Sequence, residues 1–126
     1  MDAPRVLVVE DDEPVASMLG ILLEAAGYRC ARTATAEDGW EAARPGRLDA
    51  AVVDLRLPGK DGWWLIERLR DQPSTHRLPI VVITGFLDDE VVRRSAGLGC
   101  ACLGKPFSYT MLTTGLDEAA SLAGAL

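Results

Sequence analysis

The sequence predicts an α/β protein, a doubly wound (βα)5 parallel sheet forming one domain over residues 1–126. Three observations carry that expectation. Apolar runs and amphipathic stretches alternate five times along the chain. The runs Ala50–Val53 and Ile80–Ile83 are apolar without alternation, as strands buried on both faces should be. Charged or hydroxyl side chains sit just after the runs, and the carboxyl ends of parallel strands share the edge where such sheets bind ligands.

Strand one is expected at Arg5–Val9, followed by Glu10, Asp11 and Asp12. Helix one should run from Pro14 to Ala26. Its stripe of Val15, Met18, Leu19, Leu22, Leu23 and Ala26 has helical spacing. Pro14 suits the first turn, where no N–H is needed, and Gly27 suits the position just past the end. Asp12 and Glu13 read as a solvated helix start, because carboxylates favour a helix N-terminus.

Strand two, Arg29–Thr33, is marginal, and Thr35 caps a helix over Ala36–Ala43 that ends at Arg44-Pro45-Gly46. Strand three, Ala50–Val53, leads to Asp54, then to the turn signal Pro58-Gly59-Lys60-Asp61-Gly62. Helix three, Trp63–Asp71, should turn Trp63, Ile66 and Leu69 to the core and leave Trp64 partly exposed, since adjacent helical positions point ~100° apart. Strand four, Ile80–Ile83, precedes Thr84. Helix four covers Asp89–Leu98 and strand five Ala101–Leu103, before Lys105 and Pro106. Helix five is capped by Ser108, with Met111, Leu112, Leu116, Ala119 and Ala120 on one side. Strand order 2-1-3-4-5 is one of two common solutions, and it sets strands one and three together at the switch point.

The net charge of −6 counts against a phosphate-backbone binder, so no direct nucleic-acid binding is expected. No apolar run approaches the ~20 residues of a membrane span, and the first residues lack the layout of a signal peptide, so a cytoplasmic protein is expected. Cys30, Cys100 and Cys102 read as free thiols, with Cys100 and Cys102 on one strand face. A zinc site would need further ligands, and the only histidine, His76, falls in a loop.

Three carboxylates, a hydroxyl and an ammonium meeting at one edge would repel unless a hard divalent cation sat among them. A carboxylate there can attack a phosphoryl group and carry it as an acyl phosphate. Lys105 would supply a compact positive charge and Thr84 a hydrogen bond. No one of these residues is informative alone; their joint order and spacing are.

The segments Val6-Leu7-Val8-Val9-Glu10-Asp11-Asp12, Asp54-Leu55-Arg56-Leu57-Pro58-Gly59-Lys60-Asp61-Gly62, Val82-Ile83-Thr84-Gly85 and Lys105-Pro106-Phe107 resemble the receiver domain of two-component response regulators. The resemblance implies a flavodoxin-like fold and phosphotransfer from a histidine kinase or phosphotransfer protein to Asp54. It implies Mg2+ or Mn2+ held by Glu10 (through water), Asp11, Asp54 and the main-chain carbonyl of Arg56. It further implies phosphate contacts from Thr84 and Lys105, and a cis peptide before Pro106. Arg56 and Phe86, each two residues beyond Asp54 and Thr84, would tune the lifetime of the phosphate. In the family, helix four, strand five and helix five form the output or dimer surface. Val91, Arg94, Tyr109 and Thr113 are then candidate contacts for a homodimer, a downstream target or a fused output domain.

The chain departs from the family at the switch position, three residues before the lysine. Cys102 stands there in place of Tyr or Phe, and is too small to report movement of Thr84 by ring rotation. Switching is expected to be weak or to use another route, such as the loop Gly85-Phe86-Leu87, where Gly85 frees the backbone. Two alternatives remain at this stage. One is a phosphorylation-independent interaction domain, favoured by Cys102 and disfavoured by the intact Asp54, Thr84 and Lys105. The other is a Mg2+-dependent hydrolase working through an aspartyl phosphate, disfavoured because Asp54-Leu55-Arg56 lacks the second acid of Asp-x-Asp. Apart from forming and losing its own phosphate, the domain is not expected to be an enzyme.

Overall fold

The structure, a computed structural model, describes residues 3–126. Met1 and Asp2, part of the N-terminal segment read for an export signal, lie outside the described residues. Five strands, β1 (Arg5–Val9), β2 (Arg29–Thr33), β3 (Ala50–Asp54), β4 (Ile80–Thr84) and β5 (Ala101–Gly104), alternate with five helices. The helices are α1 (Glu13–Ala25), α2 (Ala36–Ala43), α3 (Gly62–Asp71), α4 (Asp89–Gly97) and α5 (Tyr109–Gly124). All strand pairs are parallel, in the order β2-β1-β3-β4-β5. This is the flavodoxin-like arrangement.

Strand periodicity divides the core into two layers. Val6, Val8, Ala50, Val52, Val81 and Ile83 pack with Leu19 and Leu23 of α1 and Leu112, Leu116 and Ala119 of α5. Leu7, Val9, Ala51, Val53, Ile80 and Val82 face the other way, toward Ala36 and Ala43 of α2 and Leu65, Ile66 and Leu69 of α3. Burial on both faces explains why β3 and β4 are uniformly apolar up to their last residue. Truncating a wholly buried leucine such as Leu65 would cost about 2–5 kcal/mol.

Several helix faces differ from the expected stripes, and close packing explains each case. In α1, Ala16 and Gly20 are buried whereas Met18 is 37% exposed. In α5, Gly115 is buried, and Met111 and Ala120 are exposed. A Cβ at Gly115 would lie 3.4 Å from Leu103, so this small residue sets how near α5 approaches the sheet. Trp63 is half-buried rather than in the core; the inward face of α3 is Gly62, Leu65, Ile66, Leu69 and Arg70. The cause is Gly62, whose missing side chain lets α3 start against the Asp54–Leu55 backbone and so fixes the helix rotation.

Caps fall where the sequence placed them at Thr35 and Ser108, each accepting a backbone N–H three residues on. Asp12, Asp61 and Asp88 do the same for α1, α3 and α4. Arg70 joins two loops to the end of α3. Its guanidinium donates to the carbonyls of Leu98 (2.7 Å), Gly99 (3.2 Å), His76 (3.1 Å) and Leu78 (2.7 Å). No helix among the described residues is long and apolar enough to cross a membrane.

Candidate functional site

Asp54 and Thr84 close their strands rather than follow them, because ladder pairing continues one residue further than the apolar runs. Glu10 is still tied to the sheet through its N–H to the Thr33 carbonyl at 3.1 Å. Asp11 is the first side chain free of the ladder and is exposed. Carboxylate oxygens of Glu10, Asp11 and Asp54 all lie within 4.8 Å of one another. The strand order produces this meeting, since β1 and β3 are neighbours at the switch point.

The group is unevenly solvated. The Glu10 side chain is wholly buried and that of Asp54 is 6% exposed. Lys105, from the end of β5, reaches across to both: its Nζ lies 2.5 Å from Glu10 Oε1 and 3.2 Å from Asp54 Oδ2. Its own N–H donates to the Thr84 carbonyl at 2.8 Å, and the Lys105–Pro106 peptide is cis. Glu10 Oε2 is buried and has no hydrogen-bond partner.

These contacts set the proton affinities. Burial, followed by the hydrogen bond and charge of Asp54, pushes the Glu10 carboxyl up to about 8 against the opposing pull of Lys105. Burial alone would lower Lys105, but the hydrogen bond to Glu10 and the charges of Asp54 and Glu10 outweigh it and raise its pKa. One ammonium thus faces three acidic side chains, and Glu10 keeps its proton into the neutral range as a result. An orphaned carboxylate oxygen and a carboxyl held above its ordinary range both suit an additional cation. The all-oxygen donor set suits Mg2+ or Mn2+.

Thr84 Oγ1 accepts the Phe86 N–H at 3.2 Å and faces the Phe86 carbonyl at 3.4 Å. Arg56 lies in the β3–α3 loop with its side chain exposed, and its N–H donates to Asp54 Oδ1 at 3.3 Å. Phe86 is 66% exposed. Asp12 and Glu13 take no part in the cluster: Asp12 caps α1, and Glu13 pairs with Arg32 at 2.7 Å. Cys102 lies on the β5 face shared with Cys100, toward α4, where burial raises its thiol pKa. All three cysteines are free.

The expected contact residues are scattered in environment. Val91 and Thr113 are half-buried and Tyr109 is 40% exposed. Arg94 lies over the Trp63 ring at 4.5 Å and pairs with Glu67 at 2.8 Å. Arg68 is sandwiched between Trp40 (5.0 Å) and Trp64 (4.7 Å), a contact that periodicity could not reveal because it crosses from α2 to α3. The sequence marks Gly62 only as a turn residue. A Cβ there would lie 2.3 Å from the Asp54 carbonyl oxygen.

A parallel sheet whose switch point gathers two buried carboxylates, an exposed one and a lysine, with a threonine closing the next strand, defines an α/β module with an acidic site at its carboxyl edge. The chain belongs to the response regulator receiver domain family, whose model matches residues 6–117. It is 38% identical to the transcriptional regulatory protein AfsQ1 of Streptomyces coelicolor over 86 residues, 68% of this chain and 37% of AfsQ1. It is 32% identical to the polar-differentiation response regulator DivK of Brucella anthropi over 107 residues, 82% of this chain and 85% of DivK. The chain therefore spans well under half of AfsQ1. Among solved structures, a putative response regulator from Chloroflexus aurantiacus superposes with a TM-score of 0.86 at 32% identity, covering 96% of this chain and 99% of that one. Receiver domains are signalling modules without a dedicated catalytic activity.

Proposed function

We propose that this domain accepts a phosphoryl group on Asp54 from a phosphohistidine of a histidine kinase or phosphotransfer protein, and signals by the change that follows. The observation carrying this reading is the buried Glu10–Lys105–Asp54 arrangement with Asp11 beside it. An Asp54 carboxylate oxygen would attack phosphorus while the P–N bond to the donor breaks and its electron pair leaves with the imidazole. Lys105, already 3.2 Å from Asp54, would shift its charge onto a phosphoryl oxygen. The Thr84 hydroxyl would donate to another.

Mg2+ or Mn2+ would be held by Glu10, Asp11, Asp54 and the Arg56 carbonyl, and would supply the remaining positive charge at the phosphoryl oxygens. Arg56 and Phe86, both exposed and both lining the cleft beside Thr84, would limit the access of water through it and slow hydrolysis of the acyl phosphate. The downstream partner would be a separate protein, a fused output domain or a second copy meeting the α4–β5–α5 face. Incubation with acetyl phosphate and Mg2+ tests the reading. A base-labile adduct mapped to Asp54, absent from Asp54→Asn, is expected. No adduct would leave a phosphorylation-independent binding module.

A further inference from the structure

In place of an aromatic ring at Cys102, we propose that Phe86 is the reporting ring of this domain, closing into a cleft between α3 and α4 when Thr84 engages a phosphoryl group. This rests on the phosphoacceptor reading given above. Four observations converge on it.

First, a cleft of about 470 Å3 opens beside the site, with Thr84 and Phe86 on its lining and with Leu55, Leu57, Trp63 and Val91 as apolar lining among the charged Arg56, Asp61, Asp88, Glu90 and Arg94. Its size falls in the range that accepts an aromatic group. Second, Phe86 stands at this cleft 66% exposed, the more exposed of the two phenylalanines, while Phe107 is only 7% exposed. Packing such a ring against the apolar side chains of the cleft removes it from water, which is favourable. Third, the Thr84 hydroxyl holds the main chain of Phe86, and so the loop that carries the ring, accepting its N–H at 3.2 Å and donating to its carbonyl at 3.4 Å. A hydroxyl turned to donate to a phosphoryl oxygen gives up its bond to the carbonyl, so the same motion that binds phosphate frees the loop backbone to carry the ring inward. Fourth, Gly85 joins the two residues, and a Cβ built there meets nothing within 4 Å, so the link can turn without obstruction.

The far wall can move to receive the ring. α4 buries only Ser95 fully, so it rests lightly on the sheet. Closure would lay Phe86 beside Trp63 and Val91 and change the surface presented by α3 and α4. The signal would then leave through that surface rather than through a β5 side chain.

The chain's two phenylalanines make the test direct. The full chain is labelled with 4-fluorophenylalanine, and Phe86→Leu assigns the two fluorine resonances. Solvent relaxation by a soluble gadolinium chelate is measured with and without beryllofluoride and Mg2+. Bound beryllofluoride has its own fluorine resonance, which reports occupancy of Asp54. Closure predicts that the Phe86 relaxation falls toward that of Phe107, by up to about ninefold, the ratio of their 66% and 7% exposures. In Val91→Trp, which fills the cleft without adding a fluorine label, the adduct should form and Phe86 should stay exposed. A bound adduct with unchanged Phe86 relaxation in the parent chain would overturn the proposal while leaving the phosphoacceptor reading intact. An absent adduct would instead overturn that underlying reading, and this proposal with it.

Discussion

Replacing Gly62 by alanine should damage both the fold and the proposed phosphoacceptor site, for a reason that is steric. The added Cβ would sit 2.3 Å from the Asp54 carbonyl oxygen, 2.9 Å from Leu55 Cα and 3.0 Å from the Asp54 carbonyl carbon. Real Cβ contacts stop near 3.0 Å, so the start of α3 or the Asp54–Leu55 peptide must move by about 0.7 Å. Both neighbours are backbone, and no flexible side chain can yield. The Gly62 N–H also donates to the Leu55 carbonyl at 3.0 Å, and that bond would be strained by the same movement. Overpacking of this kind costs about 1–3 kcal/mol. Alanine would recover at most about 1 kcal/mol through helix propensity. With that recovery subtracted in full, the net loss should be up to about 2 kcal/mol, seen as a lower urea midpoint with an unchanged slope. The rate of Asp54 phosphorylation by acetyl phosphate should fall as well, since the displaced peptide belongs to Asp54 itself. An alanine variant as stable and as reactive as the parent would refute the argument.

Three other outcomes are expected. Arg70→Met should cost about 3 kcal/mol or more in urea unfolding, because it strands buried carbonyls of Leu78 and Gly99 without a donor; a loss under about 1 kcal/mol would show that water replaces the guanidinium. Burial pushes the Cys100 thiol up to about 11 from an unfolded value of 9.0. The unfolded chain then loses this proton first, and stability should fall between those values, by about 2–3 kcal/mol at most, relative to a Cys100→Ala variant titrated alongside. Finally, Mg2+ at about 100 times its dissociation constant should stabilise the parent by about 2.7 kcal/mol in thermal unfolding. Asp11→Ala should reduce that gain sharply at the same Mg2+ concentration, whereas equal gains in both chains would exclude Asp11 as a ligand.

Much of this molecule was legible in the chain because local rules governed it. Alternating apolar runs and helical spacing placed all five strands and five helices, and cap residues such as Thr35 and Ser108 marked helix starts. The same rules failed where close approach decided the outcome. Met18 and Met111 fit their stripes by spacing, yet the sheet sits against Ala16, Gly20 and Gly115, which let the backbones come nearer. Trp63 has the hydrophobicity of a core residue, but Gly62 sets the rotation of α3 and leaves that ring half-buried.

The linear chain by itself determined which chemical groups exist and that each lies at the end of a strand. Strand propensity and the run of apolar residues are short-range properties, so Glu10, Asp54, Thr84 and Lys105 could be singled out without coordinates. Only the tertiary structure decided what those groups do to one another. Lys105 is 95 residues from Glu10 along the chain, and nothing local says that its ammonium bridges Glu10 and Asp54. Proton affinity, desolvation and the orphaned Glu10 oxygen are likewise properties of a shared volume, and that volume exists only after the strands have taken their order.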